Sequence, residues 1–322
     1  MATSGTPTES CPEVTIVVPT YRRPHRLSRL VEALEAQTLP PERFEVVIVD
    51  NASADDTLAR LAALAAASPI RLRNLTESKR GPAPARNAGW RTSTAPVVAF
   101  VDDDCVPEPG WLAGGLAAVN RDDRIGVVQG CTRKPDGAPL GDWTLWRQVT
   151  GPSPFFEACN IFYRRAALEQ AGGFDEVIGN YGEDTALGWS VLEAGWKRDF
   201  AECAVVYHDV EDRGVRYHVR TGLLERNVAG IAKRHPDFRQ EAFWRPWAFR
   251  RENAAFSLAV AGLLLTPWRR SALMLVLPYL LLRVPPRGHP RRARLLLERV
   301  AVDAAQFAGM RIGSLRHRIA VL

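Results

Sequence analysis

Apolar positions in the first hundred residues follow two different periods. VTIVVPT (14–20) and FEVVIVD (44–50) are almost unbroken, β-branched apolar runs, the pattern of strands covered on both faces. Between them, Arg26–Gln37 carries Leu27, Leu30, Val31 and Leu34 at helical spacing and predicts an amphipathic helix. DDTLARLAALAAA (55–67) predicts a second helix, capped by Ser53 or Asp55. RLRNL (71–75) then reads as a strand, PARNAGWRTS (84–93) as helical, and PVVAFV (96–101) as a fourth strand. Strands and helices alternating at this spacing predict an α/β domain, Rossmann-like, with a mostly parallel sheet and flanking helices.

Sheets of this kind hold ligands outside the carboxyl ends of their strands. Asp50 ends the second strand, and Asp102, Asp103 and Asp104 follow the fourth, so these carboxylates are expected on one rim. Two carboxylates about 6 Å apart repel by roughly 3 kcal/mol at an effective dielectric of about 20. A cation, a cluster of donors or water must offset that. No GxGxxG follows the first strand and no GxxxxGK[ST] occurs, so a diphosphate bound at this rim needs a metal in place of a glycine cradle.

Later in the chain, AVVY (204–207) predicts a strand running into His208, and 217–236 has helical periodicity. EAFWRPWAFRR (241–251) mixes Trp244, Trp247 and Phe249 with arginines and reads as an interfacial belt. AAFSLAVAGLLLTPW (254–268) and SALMLVLPYLLL (271–282) are apolar on every side, separated by Arg269 and Arg270. Each is shorter than the roughly 20 residues a spanning helix needs. A monotopic or re-entrant membrane hairpin is therefore expected in preference to a buried dimer contact.

Composition sharpens this picture in three places. The 322 residues, 46% hydrophobic and 24% charged, suit one large domain with an appendage, or two domains. The net +6 is unevenly placed: eleven arginines against Glu298 and Asp303 make the chain from Thr266 onward +9, leaving −3 for the remainder. That argues against a nucleic-acid surface and for an anionic membrane or acidic partner at the C-terminal end. Five scattered cysteines without a CxxC pair predict reduced thiols rather than disulfides or structural zinc. The opening MATSGTPTESCPEV has no signal-peptide pattern, so a cytoplasmic protein is expected, peripheral or monotopic on the inner face of the membrane.

Seven segments in order then carry a family likeness: TIVVPTYRRP (15–24), VVIVDNASADDT (46–57), GPAPARNAGW (81–90), AFVDDDCVP (99–107), NIFYRRAALEQAGGFDE (160–176), GEDTALGWSVLEAGW (182–196) and VVYHDV (205–210). Together they resemble the family 2 glycosyltransferases of GT-A fold, from about Val14 to Asp209. The resemblance implies an inverting enzyme that moves a sugar from a nucleoside diphosphate to an acceptor hydroxyl. It implies a nucleotide-sugar pocket of Pro19, Thr20, Tyr21, Asp50, Arg86, Asn87, Asp102 and Asp103. Asp102, Asp104 and His208 become ligands of Mg²⁺ or Mn²⁺, with Asp209 orienting the imidazole. Asp184 becomes the general base, beside Glu183. A UDP- or dTDP-sugar is the favoured donor, and a glycan, lipid-linked molecule or small molecule the acceptor; an oligomer is left open. Ser190 and Arg22 depart from the family pattern, which passes phosphate contacts to Arg22, Arg23 or basic residues near 217–227.

The expected organisation is a flexible 1–13, a catalytic domain at 14–210, a helical acceptor-side region at 211–252 and an apolar, Arg-rich, membrane-associated region at 253–322. Two alternatives remain at this point. VAFVDDDCV also fits a haloacid-dehalogenase-like phosphatase using Asp102 and Asp104, and a non-catalytic sugar-nucleotide-binding protein would carry the same pocket.

Overall fold

The computed structural model describes residues 11–322. Most of the expected flexible tail at 1–13 lies outside the described residues. Pro12, however, is buried and Glu13 ion-pairs with Arg43, so these two residues are held against the fold ahead of the first strand. The chain forms two compact units, one comprising residues up to Gly137 with Trp146–Asp209, the other Ala138–Leu145 with Val210–Leu322.

The first unit runs β1 (Val14–Thr20), α1 (Pro24–Glu35), β2 (Phe44–Asp50), α2 (Thr57–Ala67), β3 (Arg71–Thr76), α3 (Pro82–Arg91), β4 (Val97–Val101), β5 (Cys105–Pro107), α4 (Trp111–Val119) and β6 (Ile125–Arg133). After β7 (Thr144–Leu145), which belongs to the second unit, come β8 (Asn160–Arg164), α5 (Arg165–Ala171), α6 (Glu183–Glu193) and β9 (Lys197–His208). Among the described residues the sheet order is β3-β2-β1-β4-β8-β6-β9-β5. The four predicted strands lie side by side and parallel. β8 then enters antiparallel between β4 and β6, β6 and β9 are parallel, and β5 closes the edge antiparallel to β9.

Local chemistry sets the helix starts. α1 begins two residues earlier than its apolar spacing predicts because Pro24 suits a first turn, where its missing N–H costs nothing. At α2, Asp55 is the effective capping group: its carboxylate accepts the Thr57 N–H at 3.1 Å, while the Ser53 hydroxyl accepts the Arg22 N–H.

The expected strand at 204–207 is the end of a twelve-residue β9, whose pairing with β6 slips between Gly130 and Cys131. Buried Asn160 compensates there. Its amide donates to the carbonyls of Cys131 and Ala204 at 3.0 and 2.9 Å, and its oxygen accepts the Trp111 indole N–H at 2.8 Å. Buried backbone carbonyls are thereby satisfied by a side chain where the ladder slips.

In the second unit, β7 pairs with β10 (Glu211–Asp212), and α7 (Gly214–Leu224), α8 (Arg226–Arg234), α9 (Pro236–Ala242), α10 (Arg251–Leu265), α11 (Leu277–Arg283) and α12 (Arg292–His317) follow. The helix expected at 217–236 divides at Glu225, whose buried carboxylate pairs with Arg250 at 3.0 Å. Phe249 is buried against Phe243 and leaves the expected interfacial belt, whereas Trp244 and Trp247 are half exposed. Among the described residues, no helix is long and apolar enough to cross a membrane.

Helix α4 packs on the sheet through Gly115, where a Cβ would fall 2.2 Å from Phe162 Cζ. Phe162 is fully buried and has nowhere to retreat. Gly115→Ala is expected to destabilise the first unit by about 1–3 kcal/mol despite the better helix propensity of alanine. Chemical denaturation of the variant checks this; unchanged stability would show that the ring moves freely.

Candidate active site

The parallel register brings the strand ends together. Thr20 and Asp50 are direct partners at the ends of β1 and β2, and β4 lies on the other side of β1. Asp102, Asp103 and Asp104 therefore emerge beside Thr20, and each carboxylate finds a different partner.

Asp102 accepts from Arg86 Nη2 at 2.7 Å. Partial burial pushes its proton affinity up, but the guanidinium outweighs this and holds it below the usual carboxylate range. Asp103 is buried and accepts from the Thr20 hydroxyl at 2.7 Å and Arg23 Nη1 at 2.8 Å; burial leaves its proton affinity raised. Asp104 meets Arg23 and Arg26 through Oδ2, at 3.1 and 3.2 Å. Its Oδ1 faces His208 Nε2 at 3.6 Å.

The main chain fixes how the His208 imidazole is turned. His208 Nδ1 lies 2.7 Å from the Asp209 backbone carbonyl, which can only accept, so Nδ1 donates there and Nε2 is the nitrogen turned toward Asp104. The expected orienting partner was the Asp209 carboxylate. That carboxylate instead pairs with Arg29 at 2.6 Å, and the main chain does the orienting.

Among the described residues, Asp104, Cys105 and His208 form a group whose ligand atoms lie within 4.8 Å of one another. A carboxylate oxygen and an imidazole nitrogen of fixed tautomer fit Mg²⁺ or Mn²⁺. The Cys105 thiol is a poor partner for such ions, since burial and neighbouring Cys159 push it well above its ordinary value. Asp102 stands outside this group with one oxygen committed to Arg86.

Arg86 reaches further. Its Nη1 donates to Glu183 Oε1 at 3.1 Å, so one buried guanidinium links the end of β4 to the first residue of α6. Gly182, at φ 89°, turns the chain into that helix. Asp184 follows, accepting the Thr185 N–H at 2.8 Å and the Ala158 N–H at 3.4 Å. Burial, reinforced by the Glu183 charge, pushes its proton affinity up to about 7. A carboxylate tuned to this range can take a proton from a hydroxyl in the transition state. Nearby Tyr163 has a buried hydroxyl with no hydrogen-bond partner among the described residues, raised well above its ordinary value by burial and then by Asp184.

The remaining expected site residues sit around this centre. Asp50 is fully buried and receives the Ser53 N–H on both oxygens, at 3.3 and 3.2 Å. Pro19 is half-buried in β1. Tyr21 has two guanidinium groups near its ring, Arg22 at 5.3 Å and Arg80 at 4.4 Å from the centroid, and Arg80 donates to its hydroxyl. Asn87 is turned inward: its amide donates to the Phe174 carbonyl and Glu176, and its oxygen accepts from Trp90 and the Phe174 N–H. Its hydrogen-bonding capacity serves the 174–176 loop.

A parallel half-sheet whose rim gathers carboxylates around arginines, with no glycine phosphate loop, is the architecture of a GT-A fold. The glycosyl transferase family 2 model matches residues 15–172. The chain carries a family 2 glycosyltransferase domain over these residues. It is 29% identical over 243 residues to Pre-mycofactocin glycosyltransferase of Mycobacterium tuberculosis, a match covering 70% of this chain and 48% of that protein, about half its length. It is 26% identical over 275 residues to Validoxylamine A glucosyltransferase of Streptomyces hygroscopicus subsp. limoneus, covering 74% of this chain and 60% of that one. The mannosyltransferase PcManGT from Pyrobaculum calidifontis, solved with GDP-Man and Mn²⁺, has the same fold, with TM-score 0.63, 22% identity and coverage of 96% and 88%. The phosphatase alternative falls with this assignment, and the Asp-bearing strand is the fourth rather than the first.

Removing the bridging cation tests the centre directly. Arg86→Gln leaves Glu183 buried without its counter-charge and is expected to destabilise by about 3–5 kcal/mol. Glu183 already binds its proton more tightly in the folded state, because of burial, and loses the opposing Arg86 charge in the variant. A raised folded-state affinity favours the folded form at low pH and is lost as pH rises, so the deficit should be larger at pH 8 than at pH 5. Urea denaturation at both values measures it; a pH-independent deficit would mean that Glu183 does not carry the cost.

Proposed function

We propose that this enzyme is an inverting, divalent-metal-dependent glycosyltransferase in which Asp184 is the general base. The observation that carries the reading is the Arg86 bridge, which joins Asp102 of the acidic triplet to Glu183 beside Asp184. Donor-side carboxylates and a proton acceptor thereby belong to one electrostatic unit.

In this reading Pro19, Thr20, Tyr21 and Asp50 form the nucleotide side. Asp50 lies where a base or ribose N–H or O–H would donate, and the Tyr21–Arg80 corner offers a ring and a cation to the nucleotide. Asp104 and His208 would hold Mg²⁺ or Mn²⁺, with Asp102 on the ribose and metal side, and the ion's chemistry there is to stabilise charge on the departing diphosphate. Arg23, between Asp103 and Asp104, ties those two carboxylates together. Asp184 takes the acceptor hydroxyl's proton as the new bond forms, and Glu183, fixed by Arg86, holds the α6 N-terminus in place. One base acting opposite the leaving diphosphate means a single displacement with inversion.

The donor is a nucleoside-diphosphate sugar. UDP- and dTDP-sugars are favoured by the family likeness, and the structural neighbour PcManGT was solved with GDP-Man. The acceptor is a hydroxyl of a glycan, a lipid-linked molecule or a small molecule, and the reaction is placed on the cytosolic face of a membrane, where nucleotide sugars and divalent ions are supplied.

Asp184→Asn is expected to lower kcat by about 10²–10⁴ with donor affinity nearly unchanged. In the parent enzyme, kcat/KM should fall as pH drops below about 7, where Asp184 becomes protonated and can no longer accept the acceptor's proton. Turnover assays across pH, with NMR of the product's anomeric configuration, check both the base and the inversion. Normal turnover by the variant, or a retained anomeric configuration, contradicts the mechanism.

Donor binding is expected to weaken by more than about tenfold when divalent ions are chelated, because the rim provides carboxylates rather than a phosphate cradle. Calorimetry of UDP, dTDP and GDP with Mn²⁺ or with chelator measures this. Equal affinity in both conditions overturns the metal requirement.

A further inference from the structure

The second unit presents large apolar side chains outward, and its own core holds them that way. Ala255, Phe256, Ala259 and Tyr279 form a small buried cluster between α10 and α11. The Phe256 and Tyr279 rings meet edge-on at 5.2 Å. The Tyr279 hydroxyl donates to buried Asp303 of α12 at 2.8 Å, and Arg283 Nε, one turn further along α11, donates to the same oxygen at 2.7 Å. With Tyr279 and Arg283 fixed inward, the opposite face of α11 turns out Leu277 and Leu281. Leu281 is 77% exposed, Trp268 78% and Met274 73%, and Leu264 at the end of α10 is also exposed.

Charge indicates what covers this face. Arg269 and Arg270 lie between the apolar runs and Arg287 and Arg292 follow α11; all four are exposed and form no ion pair among the described residues. A second copy laid on the same face would bring two +9 segments together, whereas an anionic bilayer supplies the opposite charge. We propose that the face built from residues 264–281 inserts into the headgroup and acyl boundary of an anionic lipid leaflet without spanning it, while Arg269 and Arg270 extend to lipid phosphates. The contact is independent of the reaction and of its donor.

Flotation of the full chain with vesicles of phosphatidylcholine, alone or mixed with phosphatidylglycerol, tests this. The protein is expected to bind the mixed vesicles at least about tenfold more tightly, and Arg269→Gln with Arg270→Gln should remove most of that preference. Leu264→Asp with Leu281→Asp should abolish flotation. Because those substitutions can disturb folding, a second measurement uses vesicles of brominated lipid, which should quench tryptophan fluorescence in the parent and distinctly less in Trp268→Phe. Failure to float with phosphatidylglycerol vesicles overturns the proposal, as does equal quenching in Trp268→Phe. So does a stable detergent-free dimer that Leu264→Asp with Leu281→Asp dissociates, since the face would then be an interface between copies.

Discussion

The first unit depends on keeping one guanidinium charged inside the protein. Burial opposes the charge on Arg86, yet Asp102 and Glu183 together hold its proton more firmly than in water. The three groups are mutually necessary: without the arginine, one carboxylate is stranded in a poor dielectric, and without the carboxylates the arginine is. Arginine suits this position better than lysine because its planar fork donates in two directions while staying ionised. Its place on α3, packed against β1 and β2, fixes the distance between the strand-end carboxylates and the start of α6.

Around that bridge, adjacent carboxylates acquire different electrostatic characters from different neighbours. Asp102 is held ionised by Arg86, buried Asp103 is tied to Thr20 and Arg23, and Asp104 keeps one oxygen facing His208. Asp184 goes the opposite way because burial disfavours its charge and Glu183 beside it is of like sign, which together outweigh Arg86 and the Thr185 N–H. Carboxylates whose environments drive their proton affinities apart are what a site needs if it is to hold a cation at one end and accept a proton at the other.

The second unit uses a related device for a different end. Tyr279, Arg283 and Asp303 place a satisfied polar cluster within a helical layer, and this cluster, with the apolar packing of Tyr279, fixes which side of α11 faces out. A purely apolar helix can rotate about its axis at little cost. A buried ion pair with a shared tyrosine cannot, because turning it would expose or strand its partners.

Much of this molecule was readable from local pattern. The four parallel strands, their intervening helices and the carboxylates at their ends follow from runs of β-branched residues and from helical spacing, both of which are properties of neighbours in the chain. Seven ordered segments were enough to point to the family. What local pattern did not contain was pairing across long sequence distances: the entry of β8 and β6 into the sheet, the slip in β9 repaired by Asn160, and the antiparallel register that sets Cys105 opposite His208. The same limit applied to side-chain partners. That Arg86 joins Asp102 to Glu183, that a backbone carbonyl rather than the Asp209 carboxylate orients His208, and that Asn87 faces inward are decided by which groups the folded chain brings within 3 Å or so of one another. Sequence by itself determined the strands, the helices and the rim where acidic groups gather, because hydrophobic periodicity acts along the chain; only tertiary structure decided the partners, because hydrogen bonds and buried charges are satisfied in space.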